Sequence, residues 1–373
     1  MLRAGLLTPL FAGPLLTGCS REVVDTLPVV HGRLRPFDRT RPPGPPTGLP
    51  RRVAWANTSD TEIFVSLGKG MHAAADDAGL EYLTANAEAD PARNIAQLET
   101  FLSRGVGALG VQPLDQVAQG PVLQRAIDAK VCVQGIITAP SVFQVVADQY
   151  DLGFQQGKAA AEWVRKRRGG KAQVAYFNQD GIAQQLMVRH HGVLAGLRTG
   201  GPGIQVVSDI SANERAGAME GGYSAMTDIL QDHPGISVVM GSDTVTTGAY
   251  RAFEQLDMLS DDLYFSGVDG DRNALALVEQ AGPYRASFAF QWGLMGYGMG
   301  AFGAEWIDGK DVPRVLVAKV GVLDSAAKVA TYRAMNDDPA SVWADPGRYA
   351  RLLPLLGNVG AADLVQWNGA YEL

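Results

Sequence analysis

From Arg51 onward the chain alternates between two residue patterns, and this alternation limits the fold more than any other feature. Short runs of β-branched and apolar residues, such as Val53–Asn57, Val106–Val111 and Ile236–Met240, read as strands. Between them apolar residues recur at helical spacing. Ile63, Phe64, Leu67, Met71, Ala74, Ala75 and Ala78 form one stripe. Ile95, Leu98 and Leu102 form another, introduced by Asp90-Pro91, a cap followed by proline at the first helical position. The same pattern predicts helices over 116–129, 152–168, 184–198, 214–231 and 246–256, with strands over 131–137, 142–147, 173–177, 204–210, 263–268 and 284–290. A run of βαβ units requires mostly parallel sheets covered on both faces, so the fold class is α/β. The length of 373 residues fits two such sheets better than one. Residues 337–373, with Pro339, Trp343, Pro346 and Pro354, read as an irregular C-terminal extension packed on this body.

Parallel α/β sheets bind ligands beyond the carboxyl ends of their strands, so the residues just after each strand are the candidates for chemistry. Asp60, Thr61 and Phe64 follow the first strand and Asp148 the fifth. Arg189 lies a little inside the helix after the sixth, and Asn213 follows the seventh. Ser242 and Asp243, then Asp269, follow the next two, and Gln291 and Trp292 follow the run 284–290. Gln112, Gln149 and Gln179 occupy strand ends as well. Such a set suits a small hydroxyl-rich molecule. A hydrogen bond to a charged group contributes roughly 1.5–3 kcal/mol, and ring faces cover the C–H faces of a sugar. Each residue alone also has a structural reading: Asp243 and Asp269 as helix caps, Phe64 and Trp292 as core, Arg189 as the partner of a carboxylate.

Residues 1–18, MLRAGLLTPLFAGPLLTG, set one Arg before an apolar run too short to span a bilayer, the layout of a secretory h-region. The run ends in Leu16-Thr17-Gly18-Cys19, which resembles the bacterial lipobox, where small residues precede a Cys that receives lipid. Cys19 is the expected lipidation site, and burial of acyl chains at about 0.8 kcal/mol per CH₂ would anchor the chain to a membrane surface. Residues 20–50 read as a Pro- and Arg-rich tether of extended, solvated chain. Seven Arg against Glu22, Asp25 and Asp38 give residues 20–52 a net charge of +4. With Arg3 also set aside, the whole-chain charge of −7 leaves −12 on residues 53–373. That acidic body argues against nucleic acid as a partner.

The body resembles the sugar-binding type I periplasmic binding proteins, the ribose- and galactose-binding group, over about residues 51–325. The resemblance is carried by Ile63-Phe64-Val65-Ser66-Leu67, Gly105–Pro113, Ala147-Asp148-Gln149 leading into Gly153 and Gly157-Lys158-Ala159-Ala160, and Val188-Arg189-His190-His191-Gly192. Ser242-Asp243 with Gly248-Ala249, and Gly267-Val268-Asp269-Gly270, complete it. It implies two Rossmann-like lobes joined by three crossing segments, closing on a sugar like a hinge. Lobe one would hold residues 51–148 plus 291–320, and lobe two residues 149–290 plus 321–336. It further implies that Phe64 stacks on the sugar, that Asp148 contacts it at the first crossover, and that Arg189, Ser242, Asp269 and Gln291 take the family's ligand positions. The family often carries an Asp-Arg pair where this chain has Gly135-Ile136, and Asn where it has Thr61 and Ser242. The implied role is the lipid-anchored, monomeric solute-binding protein of an ABC-type sugar importer. It would capture a monosaccharide or polyol and deliver it to a permease and its ATPase, with no catalysis, cofactor or metal. A sugar-sensing lipoprotein for a signalling receptor, or a binder of a non-sugar solute, fits the same residues.

Other motifs point to local structure. Gly105–Gly110 fits G-x-G-x-x-G but enters a strand instead of following one, so it is turn chemistry. Gly298–Gly303 fits it inside an apolar helix, where glycines allow close packing. Asp269–Asn273 begins like a calcium loop, but Ala274 and Gln280 replace its Gly and its bidentate Glu. His190 and His191 are adjacent and, on a helix, face apart, which does not suit one metal. Two cysteines exclude a disulfide scaffold, and Cys132 reads as a small apolar side chain within a strand.

Overall fold

The computed structural model describes residues 37, 48–136, 140–181, 184–211 and 218–357. Strand β1 (Arg52–Asn57) opens the first sheet and is followed by α1 (Glu62–Asp77), β2 (Glu81–Asn86), α2 (Pro91–Arg104), β3 (Ala108–Val111), α3 (Gln116–Asp128), β4 (Cys132–Ile136) and β5 (Phe143–Ala147). The chain then builds the second sheet through α4 (Gln149–Arg167), β6 (Ala172–Asn178), α5 (Gln184–Arg198), β7 (Ile204–Ser211), α6 (Ala218–Asp232), β8 (Ile236–Met240), α7 (Asp243–Gln255), β9 (Tyr264–Val268), α8 (Arg272–Glu279) and β10 (Tyr284–Ala289). It returns with α9 (Trp292–Ile307) and β11 (Val315–Ala318), crosses again to β12 (Gly321–Leu323), and ends in α10 (Ala326–Asp337), α11 (Pro339–Trp343), α12 (Pro346–Leu352) and β13 (Leu355–Leu356).

The first sheet has the order β13-β11-β5-β4-β3-β1-β2 and the second β12-β10-β9-β8-β6-β7. Pairing is parallel throughout the two interiors, as in Val53 opposite Tyr82 and Ala108. The edge strands β13 and β12 run antiparallel. Helices cover both faces, so each sheet lies between two apolar layers. Trp55, Met71, Phe143 and Phe302 fill one face of the first sheet, and Leu83, Leu98, Phe101 and Leu109 the other. Phe177, Met226, Phe253 and Phe265 fill one face of the second, and Val174, Val193, Leu197 and Val238 the other. The two sheets are therefore two doubly wound lobes, joined where the chain crosses after β5, after β10 and after β11.

Glycines let helices flanking the sheets touch backbone to backbone. A Cβ on Gly153 of α4 would lie 2.0 Å from the carbonyl oxygen of Arg189 in α5. A Cβ on Gly296 of α9 would lie 2.0 Å from that of Leu67 in α1. The apolar helix anticipated around Gly298–Gly303 is α9, and its glycines meet Trp343, Met71, Ala74 and Ala108.

The C-terminal region is more regular than its prolines suggest. Pro339 and Pro346 start α11 and α12, each behind an aspartate whose side chain caps the turn: Asp338 accepts from the Ser341 N–H, and Asp345 from the Arg348 N–H. Proline at the first helical position loses no hydrogen bond, because that N–H has no partner inside the helix. Trp343 stacks on Tyr349 and edges onto Phe302. This region carries the chain from lobe two back to lobe one, where β13 pairs with β11.

Candidate ligand-binding cleft

Both sheets point the carboxyl ends of their strands toward one cleft of about 430 Å³, within the range of small-molecule sites. From the first lobe it is lined by Thr61, Ile63, Phe64 and Leu67 at the start of α1, by Gln112 after β3, by Ile136 at the end of β4, and by residues of β5. From the second it is lined by Gln149, Gln179, Leu186, Arg189, Ala218, Ser242, Thr244, Asp269 and Asp271. Phe290 and Trp292 at the second crossover, with Met295, complete its floor.

Arg189 owes its place to the packing of α4 on α5. Its guanidinium is held from two sides: Nε donates to Gln149 Oε1 at 2.8 Å and Nη1 to Gln179 Oε1 at 3.2 Å. The residue is only 8% exposed, yet it borders the cleft. Amides, and not carboxylates, hold it, so its positive charge is oriented without being neutralised at contact.

Asp269 lies at the other end of that wall with φ of 117°, a conformation sparsely populated by any residue but glycine. A buried anchor holds the strained turn. Asp243 Oδ2 accepts from the Gly270 N–H at 2.7 Å, the Asp271 N–H at 2.9 Å and Ser287 Oγ at 2.6 Å, while Tyr284 donates to Oδ1 at 2.8 Å. Trp292 Nε1 reaches across from the crossover to the Asp269 carbonyl at 2.8 Å. Burial pushes the Asp269 carboxyl well above the usual carboxylate range, against the pull of Arg189, and Asp271 and Asp243 add to the rise. Burial and the nearby Asp271 likewise push Asp243 up to about 7, although Ser287, the Asp271 N–H and Tyr284 donate to it. Asp269 and Asp271 thus border one end of the cleft beside a single guanidinium, with Asp243 buried behind them. Their carboxyl oxygens can accept hydrogen bonds from hydroxyl groups.

Thr61 and Ser242 begin α1 and α7, one in each lobe, and neither side chain caps its helix. Both residues border the cleft, one from each lobe. Of the residues singled out from the sequence, Thr61, Phe64, Gln112, Gln149, Gln179, Arg189, Ser242, Asp269 and Trp292 line the cleft. Four others have structural partners and do not line it. Asp60 accepts from Asn86 Nδ2 at 2.8 Å. Asp148 caps α4 through the Asp151 N–H at 2.8 Å, and burial pushes its carboxyl up to about 6. Asp243 anchors the 269–271 turn, and Gln291 accepts from Asn336 Nδ2 at 3.2 Å. Asn213 and Cys19 lie outside the described residues. Thr244 and Met295 line the cleft without having been singled out, whereas Asp271 and Ile136, which also line it, stand out in the sequence only as part of a calcium-like run and as a departure from the family's Asp-Arg pair. For Asp271 the strand-end rule did give a signal, since it lies three residues beyond β9.

A two-lobed α/β chain with a ligand-sized cleft between its lobes is the architecture of a solute-binding protein. The family model described as a periplasmic binding protein domain matches residues 53–311, and the chain belongs to that family. It is 26% identical over 226 residues, 60% of this chain and 70% of the relative, to the ribose import binding protein RbsB of Bacillus subtilis. To the ribose import binding protein RbsB of Escherichia coli it is 25% identical over 216 residues, 57% of this chain and 70% of the relative. Among solved structures it is similar to an ABC transporter solute binding protein from Bacillus halodurans with bound myo-inositol. That likeness has a TM-score of 0.65 and 19% identity, covering 76% of this chain and 97% of that one. A solute binding protein from Mycobacterium smegmatis with bound glycerol superposes with a TM-score of 0.65 at 22% identity, covering 77% and 97%.

Proposed function

We propose that this chain is the substrate-binding component of an ABC-type importer and that its cleft captures a neutral monosaccharide or related polyol. The observation that carries this reading is the oriented Arg189 set beside Asp269 and Asp271 on the lobe-two wall of an otherwise uncharged cleft. A guanidinium donates to hydroxyl oxygens and carboxylates accept from hydroxyl hydrogens, so one ring hydroxyl can do both at once. Phe64 and Trp292 offer flat apolar faces to the ring carbons. The relatives' ribose, inositol and glycerol ligands belong to the same chemical class.

Ligand bound to one lobe gains its remaining contacts only when the other lobe approaches, so binding shifts the population toward the closed form. The closed form is the one a permease would recognise. Lipidation of Cys19 would keep the protein at the membrane outside the cytoplasm, with residues 20–50 as its tether. Among the described residues no helix is long and apolar enough to cross a membrane. A thermal-shift screen over pentoses, hexoses, deoxy-sugars, inositols, amino acids and nucleosides tests the substrate class. Stabilisation by neutral carbohydrates alone is expected, and a response confined to amino acids or nucleosides overturns it. Labelling with a clickable fatty acid, lost in Cys19→Ser, tests the anchor.

A further inference from the structure

The two walls of the cleft differ in kind. The charged side chains that border it, Arg189, Asp269 and Asp271, all come from lobe two. The facing wall of lobe one is built from Ile63, Leu67, Ile136, Val145 and Met295, with Phe64 beside them. These residues belong to the apolar core of that lobe or pack directly against it, so the core reaches the cleft. Ile136 is only 7% exposed and Leu67 only 1%, which makes this wall part of the packed interior and not a mobile fringe. Thr61, Gln112 and Gln144 are its polar side chains, and none carries a charge.

A fully hydroxylated pyranose or cyclitol bears hydroxyls around its whole rim. Closing the lobes on it would press some of them against aliphatic side chains, where they lose water and find no partner. We infer that the ligand is a neutral sugar or polyol with one unhydroxylated edge, a deoxy position or an alkyl or aryl substituent, turned toward lobe one. Its hydroxylated edge meets Arg189, Asp269 and Asp271, and its apolar edge completes the wall of Leu67, Ile136 and Met295. This rests on the carbohydrate reading above and narrows it.

Calorimetric titration of the full chain with matched pairs tests it: 6-deoxy-L-mannose against L-mannose, 6-deoxy-L-galactose against L-galactose, and phenyl β-D-glucoside against D-glucose. In at least one pair the member with the apolar edge is expected to bind at least tenfold tighter, about 1.4 kcal/mol. Leu67→Asn, checked for folding by its melting curve, should shrink that ratio. Parents binding as tightly as their partners, or binding only by fully hydroxylated members of a wider carbohydrate panel, overturns the inference and leaves the carbohydrate reading in place. Silence from the pairs and the wider panel together overturns both.

Discussion

His190 ties together the loop that presents Gln179 to the cleft. Its Nδ1 lies 2.8 Å from Asp180 Oδ2 and its Nε2 lies 2.7 Å from Asp209 Oδ2, and the ring packs on Tyr176. Burial of the ring opposes its charge, but its hydrogen bonds to Asp209 and Asp180, which accept from the charged ring, outweigh this and raise its pKa. Burial also works against the Asp209 charge, yet its bonds to His190 and Asn178 hold its carboxyl below the usual range. A histidine raised on folding contributes stability that is complete below its unfolded value, about 6.5, and lost as pH rises through the folded one. A depressed aspartate contributes above its unfolded value, about 3.9, and loses that as pH falls through the folded one. The clamp is therefore fully made between about pH 4 and 6.5. His190→Gln should lower stability by about 1–2 kcal/mol at pH 6, with the gap to the wild type closing toward pH 9 in melting curves. A gap independent of pH would show that His190 acts by packing alone. Such partners explain why the strand-end rule finds positions and not roles. Asp148 and Asp243 stand where a ligand contact would, but the first caps a helix and the second holds the turn beneath Asp269. Which way a side chain turns depends on neighbours distant in sequence, such as Tyr284 and Ser287 for Asp243.

At the scale of elements, the site depends on helix pairs that touch through glycine. Gly153→Ala would place a methyl group 2.0 Å from the Arg189 carbonyl oxygen and force α4 and α5 apart. The expected cost is about 1–3 kcal/mol of stability, read by denaturant unfolding, together with weaker ligand binding as Arg189 shifts. An unchanged affinity would show that α5 adjusts without moving the guanidinium. The strand and helix alternation was legible because period-2 and period-3.6 patterns are local properties of the chain. The C-terminal helices were also written in it, since Asp338-Pro339 and Asp345-Pro346 repeat the start signal of Asp90-Pro91. Read as breakers, those prolines concealed two helices and the return to lobe one. Beyond Gly135-Ile136 in place of the family's Asp-Arg pair, the aliphatic wall of lobe one was not legible as a site feature, because Leu67 and Met295 are ordinary core residues until two lobes face each other.

At the scale of the whole molecule, few bonds among the described residues hold the lobes together across the cleft. Trp292 donates to the Asp269 carbonyl, and Glu62 of α1 accepts from the Arg272 N–H of α8 at 3.1 Å, with the Arg272 side chain 3.9 Å away. The Glu62–Arg272 pair is exposed, so it contributes at most about 1 kcal/mol. That is enough to bias a hinge whose open and closed forms lie close in energy. Glu62→Lys should enlarge the radius of gyration of the ligand-free protein in solution scattering and weaken ligand by less than tenfold. An unchanged radius would remove this pair from the control of closure. The central claim is that a neutral carbohydrate is held in the cleft by Arg189 together with Asp269 and Asp271 beside it. Its most direct test is calorimetric titration of the best-stabilising neutral carbohydrate into the wild type and into Arg189→Ala. Saturable one-to-one binding weakened by about 2–4 kcal/mol in the variant is the expected result, and equal affinity for both proteins would contradict it.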